Sequence, residues 1–255
     1  MKDKILDQLR LIETTHGVKI IHAVESGSRV WGFDSPNSDY DVRFIYTRPI
    51  NWYLGVFERR DVIELPIDGL LDINGWDLKK ALFLISKSNP VLHEWLNSPI
   101  VYHTNPVIIF KLTALAADYF NAKSAIYHYL NLASGNYNSY IKGKDCVQTK
   151  KYLYIIRALL SCVWIEKSAS MPPVQFEKLI EHSDSNWVIK KDLQLLLDRK
   201  KSSMELDMDT PIASFNNWIE EKLEHFTTIA RTAAVGKPKS DDLNDFLLYT
   251  LWGEL

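Results

Sequence analysis

The stretch ESGSRVWGFDSPNSDYDVR, residues 25–43, decides how the rest of the chain is read. Before it runs Val18 to Glu25 (VKIIHAVE), a β-branched apolar segment that reads as a buried strand. Ser26-Gly27-Ser28-Arg29 follows directly, as a tight turn into a short helix. Backbone N–H groups at such a turn point outward at an anion, Gly27 has no Cβ to block the approach, and the Ser28 hydroxyl adds a donor. Asp34-Ser35-Pro36-Asn37-Ser38 is loop chemistry. Asp39 to Thr47 then alternates as a second strand, in which Asp39 and Asp41, at i and i+2, face the same way. Adjacent carboxylates raise each other's pKa unless a cation lies between them, and the usual cation is a hard divalent ion with oxygen ligands.

A phosphate cradle beside paired carboxylates outlines metal-assisted phosphoryl or nucleotidyl transfer. Such a site calls for a third carboxylate on a neighbouring strand. Asp61 to Leu65 (DVIEL) and Leu71 to Trp76 (LDINGW) read as two further strands, joined by the turn Pro66-Ile67-Asp68-Gly69. Asp72, flanked by Leu71 and Ile73, is the candidate. Glu64, between Ile63 and Leu65, has the same flanks and is its competitor. The bland reading of Asp72 is a turn residue before Asn74-Gly75.

Around these strands the period is helical. Ile5, Leu6, Leu9 and Ile12 are spaced as a first helix with Gly17 at its C′ position. Leu78, Ala81, Leu82 and Ile85 predict a helix stopped at Asn89-Pro90, and Pro90 opens the next, Val91 to Leu96. Beyond Pro106 no strand is expected, and helices are read over 111–132, 147–166, 174–181, 189–200, 211–232 and 241–252. Thr210-Pro211 is read as an N-cap and N1 pair. Breaks are expected at Gly135, Met171-Pro172-Pro173, Ser202-Ser203 and Gly236-Lys237-Pro238. Strands early and helices late predict an α+β module, residues 1–105, and a helical C-terminal domain, residues 106–255.

Composition sets outer limits. The chain has 255 residues, 46% apolar and 24% charged, which excludes wholesale disorder. A net charge of −2 argues against a broadly basic nucleic-acid binder while leaving room for a local basic cleft. Cys146 and Cys162 form no CxxC, so they read as reduced thiols of a cytoplasmic protein with no disulfide-linked partner. The opening MKDKILDQLR has no apolar segment of the signal-peptide kind. The most apolar run, Tyr152 to Ile165, is interrupted by Arg157 and falls short of the roughly 20 residues a membrane span needs, so no membrane partner is expected.

Gly-Ser, then Asp-x-Asp, then a third strand carboxylate resembles the DNA polymerase β-like nucleotidyltransferase superfamily. The fuller pattern is more specific. It comprises Glu25 to Arg29, Gly32-Phe33, Ser35-Pro36, Ser38 to Tyr46, Leu71 to Leu78, Asn89-Pro90-Val91, and Lys150-Lys151-Tyr152 through Trp164 to Lys167. It is similar to the bacterial and phage subfamily of RNA-repair-pathway polymerase β-like proteins. The resemblance implies a polymerase β-like nucleotidyltransferase core with a small mixed sheet, followed by an all-helical C-terminal domain. It implies transfer of an NMP from an NTP to an acceptor hydroxyl, with an RNA end as the leading acceptor and pyrophosphate released. Gly27 and Ser28 would hold the β- and γ-phosphates, Asp39 and Asp41 would ligate Mg²⁺ or Mn²⁺, and Asp72 would activate the acceptor and share the metal. Arg29, Ser38 and Arg43 would lie near the phosphates or just behind the carboxylates. The alternatives are nucleotidyl modification of a small molecule or protein side chain, and a non-catalytic nucleotide-sensing or antitoxin-like partner on the same fold.

Further candidates carry two readings each. Arg43 either neutralises the acidic face or contacts phosphate. Lys150, Tyr154 and Arg157, at i, i+4 and i+7, form either a basic and aromatic wall for the nucleotide or a solvated stripe. Lys142, Lys144, Lys150 and Lys151 either meet RNA phosphates or form a plain loop. Trp76 either packs in the core or stacks a base.

Overall fold

A computed structural model describes residues 1–183, 189–202, 208–232 and 241–253. In chain order the elements are α1 (Lys2–His16), β1 (Lys19–Ser26), α2 (Ser28–Trp31), β2 (Tyr40–Thr47), α3 (Ile50–Tyr53), β3 (Val62–Glu64), β4 (Leu71–Asp77), α4 (Leu78–Ser86), α5 (Pro90–Leu96), β5 (Val101–Thr104) and α6 (Pro106–Asp118). There follow α7 (Ala122–Tyr140), β6 (Val147–Gln148), α8 (Lys150–Ser168), α9 (Phe176–His182), α10 (Lys190–Lys201), β7 (Met208–Asp209), α11 (Ala213–Thr232) and α12 (Asp241–Trp252). The α+β class expected from strands early and helices late is the class observed.

The chain forms two compact units. The first comprises Met1–Val30, Asp39–Phe120 and Lys237–Leu255; the second comprises Trp31–Ser38 and Asn121–Gly236. This departs from a single cut at residue 105/106. The reason lies in packing: Ile108, Leu112 and Ala116 of α6 and Leu243 and Phe246 of α12 belong to the same buried cluster as Ile21, Val24 and Ile45 of the sheet. Burying that face requires helices from both sides of the expected boundary.

The first unit is built on a five-stranded mixed sheet in the order β3-β4-β2-β1-β5. β1 is antiparallel to β2 and β5, β3 is antiparallel to β4, and β2 and β4 are parallel. The period of two divides each central strand. Val42, Phe44 and Tyr46 of β2, with Leu71 and Ile73 of β4, share a cluster with Ile5, Leu9 and Ile12 of α1. Asp41, Arg43 and Ile45, with Asp72, Asn74 and Trp76, fall on the opposite face. There Ile45 joins the cluster formed with α4, α5, α6 and α12, and Trp76 packs against it.

The strand expected over Leu71 to Trp76 is observed as β4, with Asn74-Gly75 in its middle, which removes the turn reading of Asp72. Gly75 is required because the Phe44 ring occupies the space of a Cβ, with ring carbons 2.2 Å from where it would sit. Trp76 stacks on Trp95, ring centroids 3.9 Å apart, so that face is not open to a base. The edge strand β5 was not expected: it is short and largely exposed, and carries little apolar signal.

Among the described residues the secondary structure of the second unit is helical apart from the β6–β7 ladder of two residues per strand, which corrects the expectation of no strand after Pro106. Gly135 lies inside α7 rather than at a break. The single helix expected over 111–132 is two, α6 and α7, and Asn121 accepts from Ser124 N to cap α7. Helix α11 starts at Ala213, two residues past Pro211, so Thr210-Pro211 does not form its cap. The breaks expected at Ser203 and at Gly236-Lys237-Pro238 lie outside the described residues. No helix among the described residues is long and apolar enough to cross a membrane.

At the carboxyl end of β4, Asp77 is completely buried. It caps α4 by accepting from Lys79 N at 2.8 Å and from the Tyr53 hydroxyl at 2.9 Å. Burial pushes its pKa up to about 6, opposed by these two hydrogen bonds. The folded state therefore binds the Asp77 proton more tightly than the unfolded chain does. The stability this confers is present at low pH and is lost as pH rises from about 4 to about 6. Urea denaturation across that window should show Asp77→Asn, which keeps the capping acceptor, with a flatter pH dependence than wild type. The difference is on the order of 1–3 kcal/mol.

Candidate active site

The site forms where the amino-terminal ends of β2 and β4 lie side by side. Their parallel register sets Asp41 opposite Asp72 and Arg43 opposite Asn74. The Arg43 guanidinium reaches both carboxylates: Nη2 donates to Asp41 Oδ1 at 2.9 Å and to Asp72 Oδ2 at 2.7 Å. Nη1 donates to the Val42 and Asp72 carbonyl oxygens at 3.1 and 3.2 Å. The side chains of Asp41, Asp72 and Arg43 are 27%, 33% and 17% exposed, so the cluster is partly open to solvent.

Asp41 is held from two further sides. Its backbone N–H donates to Glu25 Oε1 at 2.7 Å. Glu25 is completely buried at the end of β1, and its other oxygen accepts from the Tyr102 hydroxyl of β5. The Ser98 hydroxyl donates to the Glu25 carbonyl at 2.6 Å. On the other side lies Gly27, with φ +67°; a Cβ there would stand 2.1 Å from Asp41 Oδ2. The Gly27-Ser28 turn therefore packs directly on the carboxylate. Glu25 and Tyr102 support Asp41 from behind, a role the sequence analysis assigned to neither. The available signal was a carboxylate ending an otherwise apolar strand.

Electrostatically the cluster carries more negative than positive charge. Burial lifts the Asp41 carboxyl above the usual carboxylate range, and Asp72 and Asp39 lift it further, while Arg43 and Arg29 oppose them. Burial likewise raises Glu25, against its hydrogen bonds from Tyr102 and Asp41.

Asp39 is exposed just before β2. Arg29 donates through Nε to the Asp39 carbonyl at 3.0 Å, and its guanidinium lies 3.6 Å from the Tyr40 ring centroid. Glu64 takes another route: it pairs with Arg60 and accepts from Asn74 Nδ2 at 3.0 Å. Asp72, not Glu64, thus joins Asp41.

The oxygen-only donor set of Asp39, Asp41 and Asp72 suits a hard divalent ion chemically. Among the described residues, however, no three acidic, His or Cys side chains are arranged to hold one. Arg43 stands where an ion bridging Asp41 and Asp72 would sit.

The remaining candidates belong to the second unit. Ser38 Oγ accepts from Ser35 N at 2.9 Å and closes the turn between them. Arg157 is buried, its guanidinium 4.4 Å from the Trp31 ring centroid, and Nη2 donates to the Val174 carbonyl at 3.2 Å. Tyr154 meets Trp31 and Phe33 edge to face, and Phe33 meets Phe176. These contacts hold the Arg157 guanidinium among aromatic rings of the second unit. Lys150 is exposed, so it does not share one solvated stripe with Arg157. Lys142 and Lys144 are also exposed, while Lys151 lies 4.1 Å over the Tyr140 ring.

Replacing Gly27 with Ala is expected to destabilise the protein by roughly 1–3 kcal/mol, since it combines a positive φ with a close approach. A crystal structure of the variant should find the Asp41 carboxylate displaced. Ser28→Ala, which leaves the backbone unchanged, should match wild-type stability in the same denaturation.

Comparison with known proteins identifies the family. Residues 1–249 match the model of a family described as the RNA repair pathway DNA polymerase β family. The uncharacterized protein YcgL of Bacillus subtilis (strain 168) is 43% identical over 252 residues, covering 98% of this chain and 96% of its own. A nucleotidyltransferase-like protein from Exiguobacterium sibiricum 255-15, known from a crystal structure, is 13% identical. It aligns over 89% of this chain and 75% of its own with a TM-score of 0.31, a likeness too loose to carry the fold by itself. With nearly its whole length matched, the chain belongs to the RNA repair pathway DNA polymerase β family.

Proposed function

We propose that the protein is a metal-dependent nucleotidyltransferase that moves an NMP from an NTP to the hydroxyl of an RNA end and releases pyrophosphate. The observation that supports this reading most is the in-register meeting of Asp41 and Asp72, with the Gly27-Ser28 turn packed against Asp41. In this reading Gly27 and Ser28 bind the β- and γ-phosphates, with the Ser28 hydroxyl donating to a phosphate oxygen. Asp39, Asp41 and Asp72 would hold Mg²⁺ or Mn²⁺, which when bound neutralises triphosphate charge and stabilises the attacking and leaving oxygens.

Asp72 accepts the proton of the acceptor hydroxyl as its oxygen attacks the α-phosphorus. The new phosphoester bond forms as the bond to pyrophosphate breaks. Glu25 fixes the backbone at Asp41, so that its carboxylate need not reorganise during the reaction. Arg29 adds positive charge beside Asp39. The cytoplasm is the proposed setting: Cys146 and Cys162 are both free thiols.

The test is pyrophosphate release from each NTP with Mg²⁺, using RNAs that carry free or blocked end hydroxyls. Transfer should require a free hydroxyl. Asp72→Asn is nearly isosteric, so the nucleotide Kd should change little while kcat falls by roughly 10²–10⁴, the usual worth of general-base help. Near-wild-type turnover by Asp72→Asn would remove the assigned base. Tight NTP binding by wild type with no transfer to any RNA would point instead to a nucleotide sensor, and label appearing in protein would move the acceptor to a side chain.

A further inference from the structure

Arg43 does more than balance charge. Its Nη2 atom alone contacts a carboxylate oxygen from each of two strands, and Nη1 is anchored on the Val42 and Asp72 carbonyls. A cation bridging Asp41 and Asp72 would have to occupy the position that Nη2 holds. Asp41 cannot easily yield it. Its backbone is tied to buried Glu25, and Oδ2 is packed against Gly27, which leaves Oδ1 facing Arg43. Arg43 is the long, flexible partner, on a side chain that is 17% exposed, so it is the group able to move.

We propose that Arg43 is the resident cation of this site: it holds Asp41 and Asp72 together in the metal-free protein, and a divalent ion can bridge those two carboxylates only by displacing the guanidinium. Arg43 is thus a positioning residue whose release sets when the metal site is complete. Without nucleotide, the divalent ion must compete with a charge already hydrogen-bonded to both carboxylates, so binding is weak. A triphosphate brings oxygen ligands for the metal and a new anionic partner for the freed guanidinium, and both favour the exchange. Metal then completes the site together with nucleotide rather than ahead of it. This inference deepens the transferase reading and rests on it for the metal itself.

Nucleotide-free, full-length protein is titrated with Mn²⁺, and free Mn²⁺ is followed by electron paramagnetic resonance. Arg43→Met, which fills similar space without charge or donors, should bind Mn²⁺ roughly tenfold or more tightly than wild type. That is the scale on which an adjacent opposite charge moves a carboxylate's proton affinity. Arg43→Gln should shift in the same direction. Arg29→Met removes a positive charge near Asp41 but not from the bridge, and its Kd should move by less than about threefold, because a partly exposed charge is screened.

Melting temperature gives a second readout. Arg43→Met should melt below wild type without metal, because two carboxylates are left facing each other, and should recover more than wild type when Mn²⁺ is added. Equal Mn²⁺ affinity in wild type and both Arg43 variants overturns the proposal while leaving the transferase reading intact. So does an equal gain in Arg29→Met, which would reduce the effect to overall charge. Absence of Mn²⁺ binding in every protein, with wild type also inactive in pyrophosphate release, overturns both.

Discussion

Asp41 and Asp72 lie far apart in the chain and meet because β4 runs parallel to β2, with Asp41 opposite Asp72. Almost everything else at this site answers to that pairing. Parallel neighbours cannot be joined by a tight turn, so the chain from β2 to β4 passes through α3, β3 and the turn at Asp68–Gly69. β3 then pairs on the far side of β4 and carries Glu64 away to Arg60 and Asn74. Asp77 belongs to the same arrangement: it ends β4 and caps α4, whose Ala81, Leu82 and Ile85 cover the sheet face that bears the carboxylates.

Two carboxylates at adjacent positions of a sheet repel, and the protein meets that cost locally. Arg43 supplies charge and four hydrogen bonds from within β2 itself. Glu25 supplies an acceptor to the Asp41 backbone, although it is itself a carboxylate and is buried. A buried carboxylate is tolerated only where its oxygens are satisfied, which the Asp41 N–H and the Tyr102 hydroxyl accomplish. The edge strand β5 therefore has a role that its weak apolar pattern conceals: it brings Tyr102 to Glu25 behind the site.

The second unit shows how similar residues serve different ends. Arg43 and Arg157 both interrupt apolar sequence. Arg43 bridges two carboxylates, whereas Arg157 is built into an aromatic cluster of Trp31, Phe33, Tyr154 and Phe176, where the guanidinium faces an indole ring. Trp31 and Phe33 come from the Trp31–Ser38 segment, which joins the second unit although the chain on either side belongs to the first. The same hydrophobic bookkeeping moves α12 into the first unit, where Leu243 and Phe246 are buried.

Local chemistry made part of this legible in advance. A β-branched run marked β1, alternation marked β2, and Asn-Pro marked the start of α5, because propensity, period and capping act over a few residues. Gly27-Ser28 and Asp39-x-Asp41 were legible for the same reason, since a turn and a two-residue period fix which way side chains point. The flanks of Asp72 and Glu64 could not choose between them, because identical local patterns carry no information about which strand becomes the parallel neighbour. That choice, the bridge made by Arg43, the support from Glu25 and Tyr102, and the packing of Arg157 on Trp31 all depend on contacts between residues distant in sequence. Their energies come from burial and register, which exist only once the sheet and helices have closed. The chain by itself determined the chemical groups and their local directions; the tertiary structure decided which of them meet.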